Sequence, residues 1–262
     1  MLSRSLQYAG AISIIPCGGL LMIALAASGF LPPISPSLDP TQTAQHYRDH
    51  EKGIRAGAAL MIMSSLFYVP YTMVVSAQMQ RIPNLHPVVI SIQSAAGNTS
   101  MYTLMISGLV LAITAYRPDR PVEITEMLND TFWFVWVMTW PTFIVQFLTF
   151  ASAIIMDRRP QPLFPKPLAV FNILVSLIPI PGNVAAHCVK TGPLAWNGAM
   201  SFWVPGMSWM VLIIVEFTCL IRAISAEGKS SESTACASPR GPGSDPRSEL
   251  TKGKNSGCDV SS

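Results

Sequence analysis

A chain of 262 residues that is half hydrophobic and only 12% charged departs from soluble domains, in which roughly 25% of residues carry charge. The net charge of +3 is too small to suggest nucleic acid, and no stripe of Lys and Arg accompanies it. The length leaves room for one helix bundle and little else.

Six apolar stretches follow one another, at residues 9–31, 57–79, 88–116, 131–156, 168–189 and 201–221, and only the last contains an acid. In lipid every backbone amide must be satisfied internally, so an apolar run of about 20 residues reads as a spanning helix. The expected fold is all-α, a polytopic membrane bundle of six transmembrane helices over residues 1–224. From about Ser225 the composition turns to Ser, Gly, Pro and charge, which cannot bury enough surface to offset ordering entropy. Residues 225–262 are therefore expected to form a disordered cytoplasmic tail.

The first stretch has Arg4 ahead of it and small Ala26, Ala27 and Ser28 near its end, as a signal peptide would. Its apolar core exceeds the 7–15 residues of a usual signal core, so it reads as a retained helix. In the loop beyond it, Asp39-Pro40-Thr41-Gln42 reads as a helix start. Asp39 serves as N-cap, Pro40 takes the first helical position and Gln42 closes a capping box. The helix would run toward the second span, with Gly53 as the expected break. Tyr47, Ile54 and Ala58 share one face; Arg48, Asp49 and Lys52 take the other. Two readings fit those charges, a solvated face or a polar lid over a substrate entrance.

In the third span, Asn98 begins a glycosylation sequon, as does Asn129 at the start of the fourth. Asn98 lies mid-membrane and Asn129 almost touches a span, so modification is expected at neither. Gly18, Gly19, Gly97 and Gly108 read as small residues that permit close helix approach. The fourth span opens with Phe132, Trp133, Phe134 and Trp136 and continues to Trp140; the sixth opens with Phe202 and Trp203 and includes Trp209. Trp133 and Trp203 suit an interfacial belt. Trp136 and Trp140 are four apart and share a face, and aromatic faces stabilise cations. Pro70, Pro141, Pro179, Pro181 and Pro205 interrupt spans, and the pair at 179 and 181 should break the fifth helix before His187.

Glu216 stands about six residues from the end of the last span. A charged acid at that depth costs several kcal/mol unless paired or protonated, and burial favours the neutral acid. The neutral acid is the state needed to donate a proton to an olefin or an epoxide oxygen. The plainer reading is a structural hydrogen bond to another helix. Gln93, Asn98, Gln146 and Asn172 fall at related depths. Each alone serves as interhelical glue worth about 1 kcal/mol; together they would line one polar pocket.

Of the five cysteines, Cys17, Cys188 and Cys219 lie in or beside spans, and Cys236 and Cys258 lie in the tail. They form no Cys-x-x-Cys or Cys/His spacing, and neither a metal nor another cofactor is expected. Orientation follows from Lys and Arg alone. With six spans, eleven fall on the side of the termini and six on the other, so both termini should be cytoplasmic, in the endoplasmic reticulum or another endomembrane.

The six-span layout, the polar first loop, the lone acid of the last span and the Ser/Gly tail resemble the fungal integral-membrane terpene cyclases of meroterpenoid biosynthesis, the ascofuranone and macrophorin type. The resemblance covers roughly residues 10–224. It implies a cofactor-free enzyme that protonates a prenyl chain, or its terminal epoxide, and guides ring closure. Glu216 would donate the proton, and the lipophilic prenylated substrate would fold against Trp136, Trp140, Tyr68 and Tyr102. The better-known cyclases of this kind use two membrane-embedded acids. Here the second would come from Asp49, Glu51 or Asp157 near span ends. The rival class is a non-enzymatic membrane protein, either a small-molecule exporter or a structural bundle.

Overall fold

A computed structural model describes residues 3–237, with side chains through residue 227, and all regular structure among them is helical. Helices α1 (Arg4–Ile12) and α2 (Ile14–Ala27) form the first span, and α3 (Pro40–Asp49) lies in the loop. Helices α4 (Glu51–Met79) and α5 (Pro87–Tyr116) are single long spans. Helix α6 (Val122–Met138) and α7 (Pro141–Met156) share the fourth, and α8 (Lys166–Leu177) and α9 (Ile180–Ala185) share the fifth. A π-helical turn at Ala199–Trp203 leads into α10 (Val204–Ala237). Six of these segments are long and apolar enough to cross a bilayer. The chain is a multi-pass membrane protein of all-α fold.

Met1–Ala226 and Glu227–Ser262 are separate units. Helix α10 continues past residue 224, where the sequence places the end of the bundle, to Ala237. The expectation of a disordered tail falls, beyond residue 237, outside the described residues, as do the side chains of Cys236 and Cys258.

Where local chemistry dictates an element, the element forms. Asp39 accepts from the Gln42 amide at 2.8 Å, and the Gln42 side chain accepts from the Asp39 amide at 3.1 Å, so the capping box of α3 is complete. Tyr47, Ile54 and Ala58 are all buried, as their shared face requires. Pro141 starts α7 after a break at Thr139 and Trp140, because its ring cannot follow a continuous ladder. The fifth span breaks at Ile178 and Pro179, well before His187. The fourth span begins at Val122, nine residues earlier than hydropathy alone places it.

Gly53 does not break anything. The chain breaks at His50, and Gly53 lies inside α4, where a Cβ would sit 1.9 Å from the Ala27 carbonyl oxygen. At Gly57 a Cβ would meet Ser28 Oγ at 2.1 Å and Ala24 O at 2.7 Å. These two glycines let α4 press against the end of α2, the close approach that small residues give membrane helices. Gly97 and Gly108 do the same between α5 and its neighbours, against Thr72 and Gln146 and against Ala58 and Ile62. Gly18 and Gly19 do not, since a Cβ at Gly18 would come no nearer than 3.8 Å to Met210 and one at Gly19 would meet nothing within 4 Å. Helix α4 is thus the member on which α2 and α5 are mounted.

Trp133 is also not a belt residue. It is fully buried, stacks parallel to Trp196 at 6.3 Å, and donates its indole N–H to Asn129 Oδ1 at 3.2 Å. The same oxygen accepts from the Tyr47 hydroxyl at 3.2 Å, which ties α3 to α6. Asn129, committed to both bonds and buried, offers no surface for glycosylation. Burial also pushes the Tyr47 hydroxyl far above its ordinary range, so it acts only as a neutral donor.

Candidate functional site

Helix α10 carries Glu216 into the packed interior, where it is only 5% exposed. The Tyr71 hydroxyl of α4 donates to its Oε2 at 2.6 Å, while Oε1 has no hydrogen-bond partner. Asn172 of α8 also faces the carboxyl, so both neighbours are polar and uncharged. The Asn172 amide N–H is engaged by the Leu168 carbonyl at 3.0 Å, and its Oδ1 stays unpaired. A carboxyl so placed, with no counter-charge and one free oxygen, is suited to carry a proton.

From Glu216 a run of aromatic rings leads to a cavity. Tyr71 packs on Tyr68 at 6.1 Å, Tyr68 on Phe143 at 5.8 Å, and Phe143 on both Trp140 at 5.0 Å and Trp209 at 6.4 Å. Tyr68 donates its hydroxyl to Gln146 Oε1 at 2.8 Å. The cavity beyond holds about 120 Å³ and is walled by Trp136, Trp140, Phe143, Phe202 and Trp209 among others. It is smaller than the roughly 300–1,000 Å³ of pockets that enclose drug-sized ligands. A prenylated ring would enter only if wall side chains swing aside.

The sequence-selected residues do not all converge here. Trp136 and Trp140 line the cavity, whereas Glu216 does not. Tyr68, Gln146 and Asn172 belong to the buried polar layer around Glu216. Gln93 is fully buried but faces Ser76, whose hydroxyl donates to its Oε1, and its amide nitrogen is unpaired. Asn98 is half-buried against Met73 and Ser94 and touches neither the acid nor the cavity. Tyr102 is 47% exposed on the outer face of α5 and cannot fold a substrate inside the bundle.

Nor does the first loop supply a second acid. Asp49 is exposed and accepts from Gln45 at 2.7 Å, and Glu51 pairs with Arg55 at 2.7 Å one helical turn on. Glu51 and Tyr71 are twenty residues apart on α4, about 30 Å at 1.5 Å per residue. Asp157 is buried, but Arg159 grips it through Nε at 2.8 Å and Nη2 at 2.6 Å, and the Arg159 and Leu163 amides donate to it at 3.3 and 2.8 Å. The Arg159 hydrogen bonds hold its carboxyl down to about 2, so it is a fixed anion rather than a proton donor.

Sequence reasoning passed over Tyr71, Phe143 and Asn183. Tyr71 had a usable signal, since it follows Tyr68 by three residues and so shares its helix face. Asn183 sits in the short helix after the proline break and lines the cavity. Comparison with protein-family models, curated proteins and solved structures finds no match.

Proposed function

We propose that the protein is a membrane-embedded terpene cyclase acting on a prenylated, lipid-soluble substrate. The observation that carries this reading is Glu216, a buried acid without a counter-charge, joined by a continuous run of aromatic rings to an apolar cavity. Trp209 and Glu216 are seven residues apart on α10, so they share a face about 10 Å apart. A prenyl tail anchored in the cavity and threaded along that face reaches Glu216 once Phe143 and Tyr68 move. Glu216 then gives its proton to the alkene or the epoxide oxygen, and the tail closes on the resulting carbocation. The Tyr68 and Tyr71 rings, which pack beside Glu216, are the aromatic groups nearest that cation. The Tyr71 hydroxyl bonds the carboxylate left behind, which recovers a proton from the cyclised cation. Product and substrate are isomers.

The test uses microsomes that contain this protein alone, given an epoxidised prenyl-phenol without nucleotide or metal. A cyclic isomer of unchanged mass is expected. The absence of an acid among the cavity walls favours a second reading, a small-molecule exporter. Failure across a substrate panel, with measurable export of the same compounds, would establish that one instead.

The orientation proposed with this function places both termini in the cytoplasm and α3 on the lumenal side of an endomembrane. Eleven Lys and Arg against six support it. Reporter tags at the N-terminus and in the loop between Ser35 and Thr41 should label from opposite sides; labelling from one side would overturn the assignment.

A further inference from the structure

At the end of α7 the chain passes from apolar to basic within a few residues. Ile155 and Met156 are 56% and 46% exposed, as side chains against lipid would be, and Arg158 and Arg159 follow them. Together with Pro83 and Asn84 of the turn between α4 and α5, these four line a half-open cavity of about 470 Å³. That volume lies within the roughly 300–1,000 Å³ of small-molecule sites. Negative charge at this end of α7 is answered internally. Arg159 holds the buried Asp157 carboxylate through Nε and Nη2. Lys166 Nζ takes the Ile154, Ile155 and Asp157 carbonyls at 2.6, 3.1 and 2.6 Å, which would otherwise form the negative end of the helix. Among the described residues, no Asp or Glu lines the cavity. Arg158 is exposed and forms no hydrogen bond or ion pair with any described residue. Its charge is the one left uncompensated in the wall.

We propose that this cavity binds the headgroup of an anionic phospholipid, with Arg158 paired to the phosphate and the acyl chains lying along Ile155 and Met156. Arginine binds phosphate through short charge-assisted bonds, and basic pockets beside membrane helices take up such headgroups. A zwitterionic headgroup fits less well, because the wall offers its cation no carboxylate. A soluble phosphate would use Arg158 but would leave the adjoining apolar side chains without a partner. The juxtaposition of an uncompensated arginine with outward apolar side chains at a span end therefore selects a ligand that carries both characters. The site shares no residue with the tryptophan-lined cavity, and it does not depend on turnover.

The experiment reads lipid retention by native mass spectrometry of the full-length protein released from detergent micelles. The probes are dioleoyl phosphatidate, dioleoyl phosphatidylcholine and glycerol 3-phosphate. One phosphatidate per protein is expected to survive, bound about tenfold tighter than phosphatidylcholine. Glycerol 3-phosphate at equal concentration should not displace it. Arg158→Gln should lower phosphatidate affinity about tenfold, toward that of phosphatidylcholine. Arg222→Gln supplies the control, because Arg222 is an exposed cation that the span count puts at the same end of the bundle, outside the cavity. It should leave phosphatidate retention unchanged. Equal retention of the two lipids by the wild-type protein overturns the proposal. Displacement by glycerol 3-phosphate also overturns it, since the site would then serve a soluble phosphate. Equal losses in the two variants overturn it as well, because the attraction would belong to the whole basic face. The wild-type comparisons decide the matter if a variant does not fold.

Discussion

Glu216→Gln is expected to remove most cyclising turnover while leaving the protein inserted and abundant. General acid catalysis contributes about 10² to 10⁴-fold, and the amide cannot supply the proton. It can still accept from the Tyr71 hydroxyl, which reaches Oε2 at 2.6 Å in the native side chain, so the packing of α10 on α4 survives. Glu216→Asp keeps the proton but shortens the reach, and should retain part of the rate. The measurement is product formed in microsomes per unit of protein. Near wild-type activity in the glutamine variant would mean that Glu216 is interhelical glue. With Asp157 committed to Arg159, and with Glu51 about 30 Å distant along α4 from Tyr71, neither of these acids would inherit the role.

The second large effect concerns the frame rather than the site. In most helices Gly→Ala is favourable by about 1 kcal/mol, because alanine loses less entropy. At Gly53 the sign should reverse, since the new Cβ would lie 1.9 Å from the Ala27 carbonyl oxygen. That obstacle is backbone, so no side chain can rotate out of the way, and α2 and α4 must part. Overpacking costs about 1–3 kcal/mol where side chains can adjust, and Gly53→Ala should fall at or beyond the upper end of that range. Gly19→Ala supplies the control, with no atom within 4 Å of its Cβ, and should be neutral or slightly stabilising. Thermal unfolding in detergent compares the two, and equal midpoints would sink the account of α4 as the mounting helix.

What could be read from residues alone was whatever local chemistry decides. The capping box at Asp39 and Gln42, the breaks at Pro141 and Pro179 and the burial of Glu216 depend on neighbours in sequence or on depth in a span, whereas Pro70, also expected to interrupt its span, lies inside an unbroken α4. What could not be read was decided across helices. Gly53 looks the same in sequence whether it ends a helix or admits a neighbour, and only the position of Ala27 chooses. Trp133 has belt composition but finds Asn129 and Trp196, so it goes inside. Asp157 resembles a spare membrane acid until Arg159 and the Leu163 amide close on it. Tyr102 has the right residue type on the wrong face of α5. The cavity that Trp140, Asn183 and Trp209 line joins parts of three different spans, which no window along the chain contains.

The cavity wall is assembled where helices are interrupted. Trp136 and Phe143 flank the break that Pro141 imposes between α6 and α7, Asn183 belongs to the short α9, and Phe202 lies in the π-helical turn before α10. At each interruption the backbone ladder is already open, so bending there forfeits fewer hydrogen bonds than bending an intact helix. The glycine contacts of Gly53, Gly57, Gly97 and Gly108 lie on α4 and α5, whereas Gly182 seats α9 against the π-helical turn, where a Cβ would fall 2.4 Å from the Met200 carbonyl oxygen. The molecule therefore separates a chassis from an adjustable aperture. Substitutions of the wall side chains at the joints can retune which molecules are admitted, while Gly182, which packs backbone against backbone, belongs with the chassis.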